Sequence, residues 1–430
     1  MSAPAADVDL DSARSALASV CGDVTDASPA DAVDGVAAAL VARPTSTAEV
    51  AEVLRAAAAH GLAVVPRGRG TKMTWGRPPE RVDLVVDLSR MAAVLDHAAG
   101  DLIVEVLAGT RLESVQETVA GAGQRLAIED PLGGSSVGGA LATNLSGPGR
   151  VVTGTARDLL IGVTVVRADG VVAKAGGRVV KNVAGYDLGK LLVGSFGTLA
   201  VVTAAFFRLH PLPATRRVVT VPFDRPEEAQ RLVQQVVHAQ VVPAAVEVDR
   251  PHQGQGCVAV LLEGTEAGVE GRTTTTLQLL GATAREQADV PPGWGAFPWA
   301  GSGAGAGSHR PTALKATFAL SGLARVLDTA RAAAADAGVG LDLRGSAGAG
   351  VLYGAVSPDA DPRAVSSVVD RLRTECSALG GALVVLDGPP EVKAAVDTWG
   401  PIPAIDLMRR VKDQFDPERR LAPGRFVGGI

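Results

Sequence analysis

Aromatic residues make up only 3% of the 430 residues, and cysteine occurs three times. With so few rings and so much Ala, Val and Gly, the core must be filled by small and branched aliphatic side chains in close backbone contact, which favours thin, twisted layers. Cys21, Cys257 and Cys376 are too scattered for a CxxC pair, a zinc site or an iron–sulfur ligand set. Electrons leaving this chain would need a carrier elsewhere. Positive charge is also scarce: the formal net charge is −5, and no run of five or more basic residues occurs, so nucleic acid is a poor partner. No apolar stretch approaches the roughly 20 residues of a membrane-spanning helix. The opening MSAPAADVDLD lacks the charged-then-apolar layout of a signal peptide, so the chain reads as cytoplasmic, meeting a membrane only through partners. GxxxxGK[ST] is missing, which removes the main support for nucleotide hydrolysis. The GRGTKM run carries Met73 where a dinucleotide fingerprint needs its third glycine.

What is present is a change of texture along the chain. RPTSTAEVAEVLRAAAAHG predicts a helix with Thr47 as N-cap and Gly61 as its stop. From Leu62 to Pro213, short apolar runs alternate with glycines: 62–66, 82–88, 102–107, 159–166 and 198–207 read as strands, 111–123 as a helix, and Ala168-Asp169-Gly170 as a hairpin turn. After Pro213 an element order repeats. Strand 218–223, helix 226–239, strands 244–248 and 257–264 and a helix to Leu280 are followed by strand 315–320, helix 323–338, strands 341–343 and 350–356, helix 362–380 and strand 382–387. Two such units side by side predict one antiparallel sheet with helices on one face. GSGAGAGS at 301–308 reads as a flexible loop.

Four loops carry the chemistry. In VVPRGRGTKMTWG, Gly68 and Gly70 stand beside Arg67, Arg69, Thr71 and Lys72; successive N–H groups there can curl around an anion, as in a phosphate nest, although an ordinary basic turn is an equal reading. EDPLGGSSVGGALATNLSGPGR adds six glycines with Ser135, Ser136, Thr143 and Asn144 as donors. Its GSSVG formally matches a nucleophile elbow at Ser136, but Pro131 and two glycines stand where a strand should enter, so a serine hydrolase is disfavoured. TARDLLIGVTVV brings Arg157 and Asp158, the latter by itself a cap or ion-pair residue. GGRVVKNVAGYDLGKLLVGSFGTLAVVT brings Lys181, Asn182, Tyr186 and Asp187 ahead of Gly194, Ser195 and Gly197.

In this order, PRGRGTK, SSVGGALATN, RDLLIGVTVV and YDLGKLLVGSFGTLAVVT resemble the FAD-binding domain of the p-cresol methylhydroxylase and vanillyl-alcohol oxidase (PCMH) type, over about Val41 to Pro213. MRRVKDQFDPERRLAPGRF resembles the family's C-terminal signature. KNVAGYDL is most similar to the FAD-binding accessory subunits of bacterial glycolate oxidase complexes. The resemblance implies an α+β fold: an extension at 1–40, a two-subdomain FAD domain at 41–213, an antiparallel cap with ferredoxin-like repeats at 214–400, and a segment at 401–430 returning to the FAD domain. It implies FAD held by Pro66, Arg67, Gly68, Arg69, Gly70, Thr71 and Lys72 at the diphosphate. Pro131, Ser136, Val137, Gly138, Gly139, Thr143 and Asn144 would line the cofactor, with Arg157, Asp158, Gly197 and Val201 near its nucleotide or flavin portion.

Departures from the family pattern matter as well. Residues 66–76 contain no histidine, so attachment should be noncovalent; Phe196 replaces an acidic residue and Ala422 an amide; and the six histidines form no metal-binding cluster. Two functions follow from the resemblance. One is a flavoenzyme oxidising a 2-hydroxy acid such as glycolate or D-lactate, with Tyr186, Lys181, Arg425 and Tyr353 as candidates for base and carboxylate anchors, and an iron–sulfur partner receiving the electrons. The other is a noncatalytic flavin-binding subunit beside a catalytic paralogue, which the missing histidines favour. No metal is expected.

Overall fold

The computed structural model of the protein describes residues 8–178, 186–300 and 309–430; the 301–308 run expected to be a flexible loop lies outside them. Short strands rich in Val and Leu build a first sheet in the order Val24–Asp26, Leu40–Ala42, Leu84–Asp87, Val64–Arg67, antiparallel in its first pair and parallel thereafter. The residues before Val41 are therefore woven into this sheet, and helix Leu10–Val20 buries Ala13 and Leu17 in the same core as helix Thr47–Ala59. In the latter, Val50, Val53, Leu54 and Ala57 share one buried face at helical spacing. The cap is Ser46, whose hydroxyl accepts the Glu49 N–H at 3.1 Å. Thr47, expected in that role, is instead the first helical residue, and its hydroxyl reaches Thr203 at 3.0 Å.

A second, wholly antiparallel sheet follows, ordered Val94–Ala98, Ile103–Leu107, Val201–Arg208, Leu160–Val166, Val172–Gly176. Its last two strands form the expected hairpin, with Gly170 at φ +75° in the turn. The two sheets share a core in which Leu84 and Val86 cluster with Val166 and Val201.

Beyond Pro213 lies one eight-stranded antiparallel sheet, ordered Arg285–Gln287, Thr215–Phe223, Gly256–Gly264, Ala245–Arg250, Leu341–Ser346, Val351–Val356, Thr312–Thr317, Ala382–Asp387. Each half is a β-α-β-β-α-β unit, and the halves meet where Ala245–Arg250 pairs with Leu341–Ser346. Two details differ from the sequence expectation. The strand opening the second unit is Thr312–Thr317 rather than 315–320, because the chain turns after Phe318 into a short 3-10 segment at Leu320–Gly322. The exposed strand Arg285–Gln287 has no apolar pattern to announce it.

Helices Pro226–His238, Leu323–Ala337 and Pro362–Ala378 cover one face of this sheet, Leu232, Val233 and Val236 packing with Val219, Val221 and Phe223. Each such side chain contributes roughly 1.5–3 kcal/mol on burial. The other face packs on the first domain, Ala313, Val351 and Tyr353 joining the cluster of Val137, Leu141 and Leu160. Strand alternation therefore decides which residues meet across the domain boundary. Val246 and Val248 face the helices while Glu247 faces the other way; Leu341 and Leu343 do so while Arg344 does not; Leu314 and Leu352 do so while Lys315 and Tyr353 do not.

The chain end closes the assembly. Val64 donates to the Arg420 carbonyl and receives the Ala422 N–H, both at 2.8 Å. Lys412, fully buried on helix Ile405–Phe415, donates to Asp416 and the Thr198 carbonyl at 2.7 Å and to the Leu421 carbonyl at 3.0 Å.

Candidate functional site

The strand Val64–Arg67 ends in the loop 68–72, and Gly70 enters the left-handed region at φ +77°. Among the described residues, no acceptor pairs with the five successive N–H groups of Gly68, Arg69, Gly70, Thr71 and Lys72. The neighbouring helix Val137–Thr143 is different: the N–H groups of Val137 and Gly138 go to the Thr110 and Ala108 carbonyls at 2.9 and 2.7 Å, and Gly139 donates to the Ser136 hydroxyl at 3.3 Å. The loop, not the helix start, is thus the donor surface open to an anion.

Close packing keeps that surface bare. A Cβ on Gly68 would stand 2.0 Å from the Ser136 Oγ, and one on Gly197 (φ +74°) would stand 2.7 Å from Pro66. The loop lines a cleft of about 730 Å³ together with Pro66, Met73, Ser136, Gly138, Gly139, Thr143, Gly197 and Arg425. A wider cleft, about 1800 Å³ including its open mouth, continues past Trp75 and Trp299. At the end of the Val137–Thr143 helix, Asn144 (φ +48°) has a buried Oδ1 without a partner among the described residues.

The cations of the loop play separate parts. Arg69 is exposed. Arg67, expected to neutralise a phosphate, is already held between Asp31 and Asp87, each at 2.8 Å. Although burial opposes it, hydrogen bonds from Ser28 and from Arg67 hold the Asp31 carboxyl down at about 2. Lys72 donates to Ser135 at 2.7 Å and Thr71 at 2.9 Å, and burial brings its ammonium down to about 8 while Asp130 pulls the other way. Ser135 in turn donates to Asp130 at 2.7 Å.

Several expected residues stand elsewhere. Val137 is buried in the core, and Pro131 lines a different cavity. Val201 is fully buried because alternation at the start of its strand turns it inward, leaving Ala200 and Val202 on the cleft. Arg157 and Asp158 are exposed, and Asp158 accepts the Thr155 N–H at 2.8 Å and its hydroxyl at 3.0 Å, forming a capping box. Tyr186 is 92% exposed and away from both clefts. Lys181 lies outside the described residues.

Arg425 does reach the cleft, but its guanidinium donates to the Met73 and Trp75 carbonyls at 2.8 and 2.9 Å, holding the loop in place. Burial lowers it to about 10, against the attraction of Asp34 and Asp387. Phe196 adopts φ +57° and packs edge-on to Trp399 at 4.9 Å and stacked with Phe426 at 5.6 Å, so the position without its acidic residue joins an aromatic cluster with the chain end.

Tyr353 lies in a second cavity, between the cap sheet and the first domain. From the cofactor loop the wall runs Trp75 to Phe297 (6.0 Å between ring centroids) and Phe297 to Tyr353 (4.4 Å). Burial raises the Tyr353 phenol, with Arg150 and Ser146 beside it. Glu247, Arg344 and Ser346 complete the lining, and Lys315 pairs with Tyr353 across adjacent strands. Sequence reading missed these residues. The signal was there in AAVEV, where a charge breaks an apolar strand, but it marks a buried site only once both sheet faces are known to be covered.

Comparison with known proteins accounts for the cradle. Residues 38–176 match the FAD binding domain family, and residues 294–426 match the C-terminal domain of FAD linked oxidases. An uncharacterized FAD-linked oxidoreductase of Mycobacterium tuberculosis is 29% identical over 91% of both chains. Glycolate oxidase subunit GlcD of Bacillus subtilis is 33% identical over 49% of this chain and 45% of its own length. Subunit GlcE of Escherichia coli is 35% identical over 35% of this chain and 43% of its own. The p-cresol methylhydroxylase structure superposes with a TM-score of 0.77 at 16% identity, covering 98% of this chain and 97% of that one, which shows a shared fold. The open N–H row, the closely packed Gly68 and Gly197 and the unpartnered Asn144 amide oxygen all fit a dinucleotide. With the two matched families they place the chain among the PCMH-type FAD-linked oxidoreductases, with FAD as its cofactor.

Proposed function

We propose that the protein oxidises a small 2-hydroxy acid, glycolate or D-lactate, using noncovalently held FAD. The observation that carries this reading is adjacency: the FAD cradle and a second cavity with buried polar side chains in its lining share one wall, from Trp75 through Phe297 to Tyr353. When bound, FAD supplies the acceptor for a hydride leaving the carbon that bears the hydroxyl. The chain's own tasks are to bind and orient. The 68–72 N–H groups and Arg69 hold the diphosphate, Arg425 fixes the loop from behind, and Phe297 with Trp299, stacked at 4.6 Å, keeps water from the shared wall. Noncovalent attachment is supported by the absence of His, Cys and Tyr among the described residues lining the cradle. Transfer of electrons to an iron–sulfur partner is supported by the three scattered cysteines and by relatives named as oxidase subunits.

A second reading, a noncatalytic subunit beside a catalytic paralogue, draws on the similarity to subunit GlcE. One experiment separates the two. The purified chain, alone and without oxygen, receives glycolate and D-lactate while its flavin spectrum is followed. Bleaching by either acid supports the oxidation; a yellow protein that neither acid bleaches supports the accessory role and rejects autonomous turnover.

A further inference from the structure

Resting on that reading, we infer that the cavity between the cap sheet and the first domain is the carboxylate-binding site, with Arg150 as the anion anchor and Glu247 as the group that sets its charge. Ser146 Oγ, Arg150 Nη1, Glu247 Oε1 and Ser346 Oγ are buried at this cavity without a hydrogen bond of good geometry, Ser346 lying beside Glu247 and both Ser146 and Arg150 beside Tyr353. Buried polar groups are ordinarily well paired, so these poorly paired ones, converging on one space, have bonding capacity left for a polar ligand. The space is about 280 Å³ including its open mouth, so an acid bound there must be small. The poorly paired groups include a guanidinium N–H for a carboxylate and two hydroxyls with a carboxyl group for an adjacent hydroxyl.

The charges facing Glu247 come from every side. Arg150 and Glu129 approach from the first domain, Arg344 from the next strand, and Lys315 lies further along the same sheet face. Arg344 is engaged with Asp249 at 2.9 Å, and Glu129 accepts the Gly149 N–H at 2.8 Å. Burial raises Glu247 to about 8, with Glu129 adding to the rise and Ser346, Arg150 and Arg344 opposing it. At neutral pH Glu247 is therefore protonated, and Arg150 meets a bound carboxylate without a competing anion. Desolvation and then Arg150 lower Lys315 to about 8. Raising the pH through 8 thus adds a negative charge and removes a positive one, and the cavity's attraction for a carboxylate weakens.

The test uses the FAD-loaded full chain, with glycolate and inert acetate as probes and tryptophan fluorescence as the binding readout, Trp299 being 6.1 Å from Tyr353. The wild type should bind both acids on the order of tenfold more weakly at pH 9 than at pH 7, one pKa unit being a factor of ten. Arg150→Met should weaken binding on the order of tenfold at pH 7 while keeping its FAD. Glu247→Gln, isosteric and always neutral, should lose less of its own affinity between pH 7 and pH 9 than the wild type loses. Acetate and glycolate binding that needs Arg150, without flavin bleaching, would support the site while removing 2-hydroxy-acid oxidation. Bleaching whose half-saturation is unchanged in Arg150→Met, or affinity constant through pH 8 in the wild type, would overturn the site and leave the oxidation standing.

Discussion

Around the 68–72 loop five successive main-chain N–H donors stand open, whereas the cap cavity is lined by the side-chain atoms of Ser146, Arg150, Glu247 and Ser346. The first surface exists because side chains are kept away, by glycines packed at 2.0 and 2.7 Å from what a Cβ would meet. The second exists because side chains are sent in, Glu247 and Ser346 by strand alternation in the cap sheet and Ser146 and Arg150 from the first domain. A cofactor shared by a whole family can be held by backbone geometry; a substrate that differs from one member to the next is met by side chains. The two surfaces should therefore fail in different ways when mutated.

The largest effect is expected at Gly68. Gly68→Ala drives a methyl into the Ser136 hydroxyl and should lower FAD affinity on the order of a hundredfold, near 2.7 kcal/mol. Gly68→Ala/Ser136→Ala removes the oxygen and should regain part of it, as read by FAD titration of the deflavinated protein. A backbone cradle predicts this rescue; if the double variant binds FAD no better than the single one, the steric account of the loop is wrong.

Lys412→Met comes next and lies in neither surface, since this lysine ties the chain end to the Thr198 carbonyl. It leaves the buried Asp416 carboxylate unpaired, which should cost about 3–5 kcal/mol in urea unfolding. Loss of stability without a matching hundredfold loss of FAD would keep the tail as a brace and the loop as the binding surface.

The smallest effect belongs to Asp158→Ala, which removes a helix cap worth about 1 kcal/mol. Its FAD content should equal that of the wild type. A flavin-depleted Asp158→Ala protein would restore the cofactor role that the exposed position argues against.

The same contrast explains what could be read from the sequence. Glycine clusters beside Arg69, Thr71 and Ser136 are a compact signal, since residues that form a nest must be neighbours in the chain. The repeated β-α-β-β-α order was legible for a related reason: helical and strand periods are local, and the helix face Leu232, Val233, Val236 is complete within one turn and a half. Val201 was misjudged by one residue, a shift that reverses direction in a strand. Asp158 was read from family position although its own neighbours spell a capping box. Arg67 was read as a phosphate partner because Asp31 and Asp87, which claim it, lie far away in sequence. The cavity was invisible for the same reason: Ser146, Glu247, Ser346 and Tyr353 come together only through the order of strands in the cap sheet and its docking on the first domain.

The division between a backbone site for the cofactor and a side-chain site for the acid is tested most directly by recording FAD stoichiometry and substrate-induced flavin bleaching on one sample of Arg150→Met. The expected result is a full complement of FAD with the half-saturating glycolate or D-lactate concentration raised on the order of tenfold. A variant that has lost its FAD, or one that bleaches at the wild-type concentration, would contradict the division.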